Sequence, residues 1–363
     1  MKKIAIVKWS IDRTDGGLKV AVNLSNELSK YYEIHLLSMI ATEQIFFSVS
    51  KEVCYKNLSS KKLSMSKNFF QAVLKLRKYL KAHKIDVVFG VGMSMNCVGI
   101  ASTLGLKTKF VSCDHTNSIV DIDTKVKKTQ RFVASKFANK IITLTNQDRL
   151  NYIKKYKMNS ENVDYIYNWM DSLDSVEKYN INSKKLITVG RFDYQKGFDY
   201  LSKVANLVLS KHSEWEWDIY GDGDEKIKQE LRNELEVGGV LSRVHFKGNV
   251  KGTENIYPGH GMYVMTSRYE GLPLVLLEAK QYGLPIVSFN CPTGPSELVL
   301  DGENGYLVEN YNVEKMSQLI IQLIENDELR AKFSQNSMLD TDKYSKEKIV
   351  QQWVDLIEEM TGE

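Results

Sequence analysis

Two carboxylates eight residues apart, Glu270 and Glu278, bracket the stretch EGLPLVLLE. The first stands in a glycine-flanked turn and the second two turns into an apolar helical run. Pro273 suits the first position of that helix, where its missing N–H costs nothing. The free backbone N–H groups at such a helix start favour an anion such as a phosphate. An acid at the same place suits hydroxyl groups attached to that anion, as on a sugar diphosphate. The second acid, on the helix flank, suits a pair of vicinal hydroxyls such as those of a ribose. Two glutamates alone are usually no more than a helix-dipole acid and a surface acid, so other residues must decide.

Those residues follow other predicted strands. In VGRFDYQKG, Arg191 and Lys196 place two cations in a loop after a strand. Arginine can bind two phosphate oxygens at once, and lysine acts as a point charge. The turn Gly221–Asp222–Gly223 ends another strand and permits close backbone approach, and Gly16–Gly17 does the same ahead of the first helix. His115, in SCDHTN, follows a strand of the first half. Two Asp-x-Asp patterns, Asp121–Asp123 and Asp222–Asp224, match a metal-binding spacing. The pattern is short and common by chance, and no metal is expected.

The elements that must position these groups alternate. KIAIVKW, EIHLLSM, DVVFGVG, KFVSCDH and KIITLT are short apolar runs that predict strands, with helices such as NFFQAVLKLRKYLKAHK between them. The polar stretch Asn168–Lys185 reads as a linker. The pattern then restarts with LITVGRF, WEWDIYGDG, VHFKGNV, GMYVMTS, PIVSFN and GYLVE as strands, and a helix is expected over Pro273–Tyr282. Alternation of this kind predicts α/β architecture with parallel sheets covered on both faces. In such sheets ligands sit beyond the carboxyl ends of the strands.

The chain of 363 residues is long enough for two domains. The expected division is 1–170, 171–345, and a terminal helix in 346–363 that packs back on the first domain. The net charge of +4 conceals an asymmetry. Residues 1–170 carry 28 Lys and Arg against 13 Asp and Glu, and residues 171–363 carry 21 against 32. A basic first half asks for an anionic partner, such as a membrane surface or a phosphorylated acceptor. No zinc-finger spacing or RNP-type strand supports nucleic acid. No apolar run is long enough to cross a membrane, and MKKIAIVKWS reads as a first strand, because Lys8 interrupts its apolar stretch. The four cysteines lack CxxC spacing, which predicts reduced, buried thiols and a cytoplasmic protein.

In order, the Gly16–Gly17 pair, Arg191 with Lys196, YGDG and Glu270 with Glu278 form a set. Together with GLPIVSFNCPTGPSELVLDGENGYLV, the set resembles retaining, nucleotide-sugar-dependent glycosyltransferases of family four, of the bacterial capsule, O-antigen and exopolysaccharide type. The match is strongest over residues 186–308. The resemblance implies the GT-B fold, two doubly wound Rossmann-like domains facing across a cleft. It implies that Arg191 and Lys196 hold the donor diphosphate, Glu278 the ribose and Glu270 the sugar hydroxyls. Gly271 and Leu272 would lie near the phosphates, and Gly221 and Asp222 near the base. Gly16 and Gly17 would approach the diphosphate, and His115 the transferred sugar. Gly294 and Ser296 would add donor-sugar contacts. The implied reaction moves a hexose or N-acetylhexosamine from a nucleotide-diphosphate sugar, UDP favoured over GDP, to a saccharide acceptor. That acceptor is expected to be lipid-linked, at the inner face of an anionic membrane, with no tightly bound cofactor and no metal. A sugar-nucleotide epimerase, a phosphorylase or a non-catalytic partner subunit of the same fold are the alternatives. An inactive relative would be expected to lack Arg191, Lys196 or Glu270.

Overall fold

Short, mostly apolar runs form the strands, because a strand buried on both faces is near-continuously hydrophobic; His35, Ser112, Asp218 and Ser288 are buried polar exceptions inside them. The structure, a computed structural model, describes residues 1–11, 16–41, 47–60, 68–120, 124–171 and 179–362. The chain divides into two units, Met1–Trp169 with Lys346–Glu363, and Met170–Ser345.

The first unit runs β1 (Lys3–Lys8), α1 (Gly16–Leu28), β2 (Glu33–Ser38), β3 (Cys54–Asn57), α2 (Phe69–His83), β4 (Val87–Val91), α3 (Asn96–Thr103), β5 (Lys109–Asp114), α4 (Lys125–Phe137), β6 (Lys140–Thr143), α5 (Asn146–Tyr156) and β7 (Val163–Tyr165). Its sheet has the order β3-β2-β1-β4-β5-β6-β7, with every pairing parallel. Right-handed crossovers therefore put α2 to α5 on one face and α1 on the other.

The second unit runs β8 (Lys185–Val189), α6 (Phe198–Lys211), β9 (Glu216–Tyr220), α7 (Glu225–Val237), β10 (Val244–Gly248), β11 (Met262–Met265), α8 (Leu274–Gln281), β12 (Ile286–Phe289), α9 (Pro295–Leu298), β13 (Gly305–Val308), α10 (Val313–Glu325) and α11 (Asp327–Gln335). Its parallel sheet has the order β10-β9-β8-β11-β12-β13. The core gathers α6 and α10 over the central strands, with Trp217, Phe192, Phe198 and Phe289 buried. The last helix, α12 (Lys346–Thr361), belongs to the first unit. It buries Ile349, Val350, Trp353, Leu356 and Ile357, and Trp353 meets Phe89 of β4 edge to face at 5.2 Å. Lys2 and Lys140 pair with Glu358 and Glu359 at its end.

Several expectations need correction. β3 and β7 escape an apolar-run search: CYKN is an edge strand with alternating exposure, and VDY holds one buried residue. The helix after Glu270 begins at Leu274, with Pro273 as its N-cap residue rather than its first helical one. All four thiols are free, but Cys54 is exposed and Cys97 only half-buried. The Asp121–Asp123 pattern lies outside the described residues.

Candidate functional site

In the second unit the strand order turns at β8, whose neighbours are β9 and β11. Such a switch point leaves a crevice beyond the strand ends, where loops diverge to opposite faces of the sheet. The loop after β8 carries Arg191 and Lys196, and the loop after β11 carries Glu270.

After β8 the chain makes a single 3-10 turn, Tyr194–Lys196, capped by Asp193, whose carboxylate accepts from the Lys196 N–H at 3.2 Å. Gly197 then takes a left-handed φ of +65°, and a Cβ there would lie 2.2 Å from the Thr266 carbonyl oxygen. Only glycine meets both conditions, so the loop after β8 can press directly on the end of β11. Thr266 closes the contact by donating Oγ1–H to the Lys196 carbonyl at 3.1 Å. Arg268 adds a clamp, with its backbone N–H to the Gln195 carbonyl at 2.7 Å and its guanidinium to the Tyr194 carbonyl at 2.8 Å.

The two loops thereby bring together residues 74 apart in sequence. Lys196 Nζ lies 2.6 Å from Glu270 Oε1, and the side chains are 19% and 7% exposed. Gln195 Nε2 donates to Glu270 Oε2 at 3.2 Å and to the Tyr269 carbonyl at 3.0 Å. The Glu270 backbone is held on the other side by the β12–α9 loop, through Glu270 N–H to Pro292 O and Thr293 N–H to Glu270 O. In the same loop Gly294, at φ +94°, approaches Gly271 so closely that a Cβ would meet its carbonyl oxygen at 2.3 Å. Burial pushes the Cys291 thiol well up, and the Glu270 charge adds to this. Burial likewise raises the Tyr269 hydroxyl, with Asp193 and Glu270 contributing.

Arg191 is exposed and makes a two-pronged contact with Asp193, at 2.8 and 2.5 Å. Both expected diphosphate cations therefore hold an acid in this structure. Glu278, half-buried on α8, accepts a hydrogen bond from the buried Tyr257 hydroxyl at 2.7 Å. Burial, then the Glu278 charge, drives the Tyr257 hydroxyl well above its usual range. Gly271 and Leu272 lead into α8, whose first turn has no side-chain cap. At the β9 end Gly221 packs on the Gly190 carbonyl, where a Cβ would sit at 2.0 Å, and Asp222 is exposed. Asp222 accepts from the Gly223 N–H, and Asp224 is the N-cap of α7, so both acids of this Asp-x-Asp pattern have local partners. Among the described residues no group of three or more His, Cys, Asp or Glu side chains could hold a metal.

The other expected residues belong to the first unit. Gly16 and Gly17 open α1 beyond β1, and half-buried His115 follows β5. The loop that carries His115 is anchored by a buried polar cluster. Arg131 donates to Asp114 at 2.7 Å, to Thr116 Oγ1 at 2.7 Å and to the Asn117 carbonyl at 2.6 Å. Tyr152 donates to Asp114 at 2.5 Å, and Ser118 to Asp148 through both N–H and hydroxyl. Burial opposes the charge on Asp114, but Arg131, Tyr152 and Thr116 hold its carboxyl below the ordinary value. Asp148, buried and near the Asp114 charge, is pushed up to about 6.

Sequence reasoning missed Gln195, Asp193, Arg268 and Tyr257. The first two stand inside VGRFDYQKG and were readable as neighbours of the cations. Nothing in the sequence marks Tyr257 as the partner of Glu278.

Residues 14–172 match the model of Glycosyltransferase Family 4, and residues 171–339 that of Glycosyl transferases group 1. An uncharacterized glycosyltransferase of Haemophilus influenzae is 30% identical over 354 residues, covering 97% of this chain and 99% of that one. The amylovoran biosynthesis glycosyltransferase AmsD of Erwinia amylovora is 29% identical, covering 98% and 100%. Among solved structures, a mutant of S. aureus TarM in complex with fondaparinux, alpha-GlcNAc-glycerol and UDP superposes with a TM-score of 0.82. It shares 18% identity and covers 98% of this chain and 100% of that one. The chain belongs to the GT-B glycosyltransferases of family four, and it is a transferase enzyme.

Proposed function

We propose that this enzyme moves a hexose or N-acetylhexosamine from a UDP-sugar to a saccharide acceptor, with retention at the anomeric carbon, in the building of a cell-surface polysaccharide. The observation that carries the reading is the convergence of Lys196, Gln195 and Glu270 at adjoining strand ends, beside Arg191 and the start of α8 that no side chain caps. A relative named for amylovoran biosynthesis and a solved neighbour bound to UDP support it.

In this reading the donor diphosphate draws Lys196 and Arg191 from their acid partners, and Glu270 turns to the sugar hydroxyls while Gln195 keeps its second oxygen placed. Glu278, fixed by Tyr257, holds the ribose, and Gly221 and Asp222 lie near the base. His115 contacts the transferred sugar, and Gly16 and Gly17 the diphosphate. The bond from C1 to the diphosphate oxygen breaks, and its electron pair leaves with UDP. The acceptor oxygen bonds C1 from the same face, and its proton passes to the departing phosphate oxygen. Positive charge preset at the leaving group lowers the barrier without a metal. The acceptor is taken to be lipid-linked, and the basic first half to meet an anionic membrane from the cytoplasmic side. Among the described residues no helix is long and apolar enough to cross a membrane.

A thermal-shift series with UDP, GDP, ADP and their sugar conjugates tests the donor. A Tm rise with UDP, enlarged by one UDP-sugar and lost in Lys196→Ala, is expected. A response to GDP or ADP alone would overturn the assignment to UDP. Proton NMR of the new glycosidic linkage then reads retention directly.

A further inference from the structure

The helices α2, α3 and α4 lie side by side on one face of the first sheet, with α3 packed against both others. Together they carry nine Lys and Arg and no Asp or Glu. None of the α3 residues is exposed, so α2 and α4 flank it as two outward ridges. Each ridge bears large apolar side chains in solvent. On α2 Phe70 is 81% and Leu74 67% exposed, and on α4 Phe132 is 53% and Phe137 67% exposed, with Val126 beside them. Phe70, Phe132 and Phe137 are the exposed phenylalanines among the described residues. Several large apolar side chains exposed on one face, unlike a single one, mark a surface that something else covers.

The spacing gives the ridges a direction. Phe70, Leu74 and Lys81 fall at i, i+4 and i+11, a single stripe along α2, with Lys78 on its edge. On α4 Phe132 stands in the middle of the exposed arc, between Lys125, Lys128 and Lys136, and Lys136 lies over its ring at 6.0 Å. Apolar tips set among lysines, with no acid on any of the three helices, match a surface that is apolar beneath and negatively charged at its boundary. A basic, acid-free face is attracted to an anionic boundary, and its aromatic residues gain most where an apolar layer lies just below the charge.

We propose that the α2–α4 face docks on an anionic lipid bilayer, with Phe70, Leu74, Phe132 and Phe137 entering the headgroup boundary and Lys78, Lys81, Lys125 and Lys136 meeting lipid phosphates. The proposal rests on the lipid-linked acceptor reading above, and it names the surface that reading leaves open.

Co-sedimentation of the full chain with vesicles of phosphatidylcholine, with and without phosphatidylglycerol, tests it. The protein is expected to sediment with the anionic vesicles only, and less so as salt rises. The Phe70→Ser/Phe132→Ser and Lys78→Glu/Lys81→Glu variants should each lose about tenfold or more in vesicle partitioning. All four positions are exposed, so the thermal unfolding of both variants should match the parent. The Tm rise with UDP should also persist, which reads the donor site separately. A chain that binds vesicles but ignores UDP would sink the UDP-donor reading and leave this surface standing. Binding that is equal in parent and variants, or absent with both vesicle types, overturns the proposal. So does a concentration-dependent dimer that Phe70→Ser abolishes in a protein that never sediments, since the face would then be covered by a second copy.

Discussion

Replacing Lys196 by alanine should separate the structural from the chemical role of the site. The ammonium lies 2.6 Å from a Glu270 oxygen, and the two side chains are only 19% and 7% exposed. Removing one partner of such a pair leaves a desolvated carboxylate, which typically costs about 3–5 kcal/mol when burial is complete. Gln195 still donates to the other Glu270 oxygen, and the lysine end reaches some solvent, so about 2–3 kcal/mol is expected. In a unit of this size each kcal/mol moves Tm by about 2–4 °C, which gives a fall of about 4–12 °C. Lys196→Ala/Glu270→Gln removes the stranded charge and should recover at least half of that loss, a coupling of about 1–2 kcal/mol. The rate should not recover, because losing one preset donor at a developing negative charge costs about 100- to 1,000-fold. Thermal unfolding and release of UDP from the donor, measured on both single variants and the double one, complete the cycle. A Lys196→Ala variant with parental Tm and parental turnover would refute the reasoning. Recovered activity in the double variant would refute the leaving-group role while keeping the ion pair.

Asp148 makes the stability depend on pH. Its folded carboxyl titrates at about 6 against an ordinary aspartate value of 3.8, so the folded state holds the proton more tightly. Its contribution is fully present below about 3.8 and is lost as pH rises through about 6, up to about 3 kcal/mol. Asp148→Asn should flatten the difference between pH 4 and pH 7 in urea unfolding relative to the parent, and an unchanged slope would exclude this group. Gly197→Ala places a methyl against the Thr266 carbonyl at a left-handed φ, and should cost about 2 kcal/mol or more while impairing turnover through a displaced Lys196. Tyr257→Phe removes the hydrogen bond to Glu278, and should raise KM for the nucleotide sugar several-fold with kcat nearly unchanged. EDTA should leave the rate unaltered, since the proposed charge stabilisation uses Arg191 and Lys196; a collapse restored by Mn²⁺ would return the Asp-x-Asp pattern to the site.

Much of the architecture was legible in the chain because parallel strands buried on both faces need near-continuous apolar runs. Ile4–Val7, Val87–Val91 and Ile286–Phe289 show themselves as strands without any partner in view. CYKN does not, because an edge strand with alternating exposure needs no such run, and its place beside β2 comes from tertiary pairing. The start of α8 illustrates the same limit at one residue: proline suits both the cap and the first turn, and packing of the Glu270–Thr293 loops selected the cap.

The chemistry divides in the same way. Residue type alone determined that Arg191 and Lys196 are cations in a loop after a strand and that Glu270 and Glu278 are acids on the next helix segment. The glycines at 197 and 294 were fixed there too, though the close carbonyls that require them came into view only with the fold. That Lys196 pairs with Glu270 and that Tyr257 seats Glu278 was decided by the tertiary structure. The physical reason is distance along the chain. A periodic pattern reports which face of its own element a side chain takes, whereas contacts between residues 74 apart exist only once β8 and β11 lie side by side.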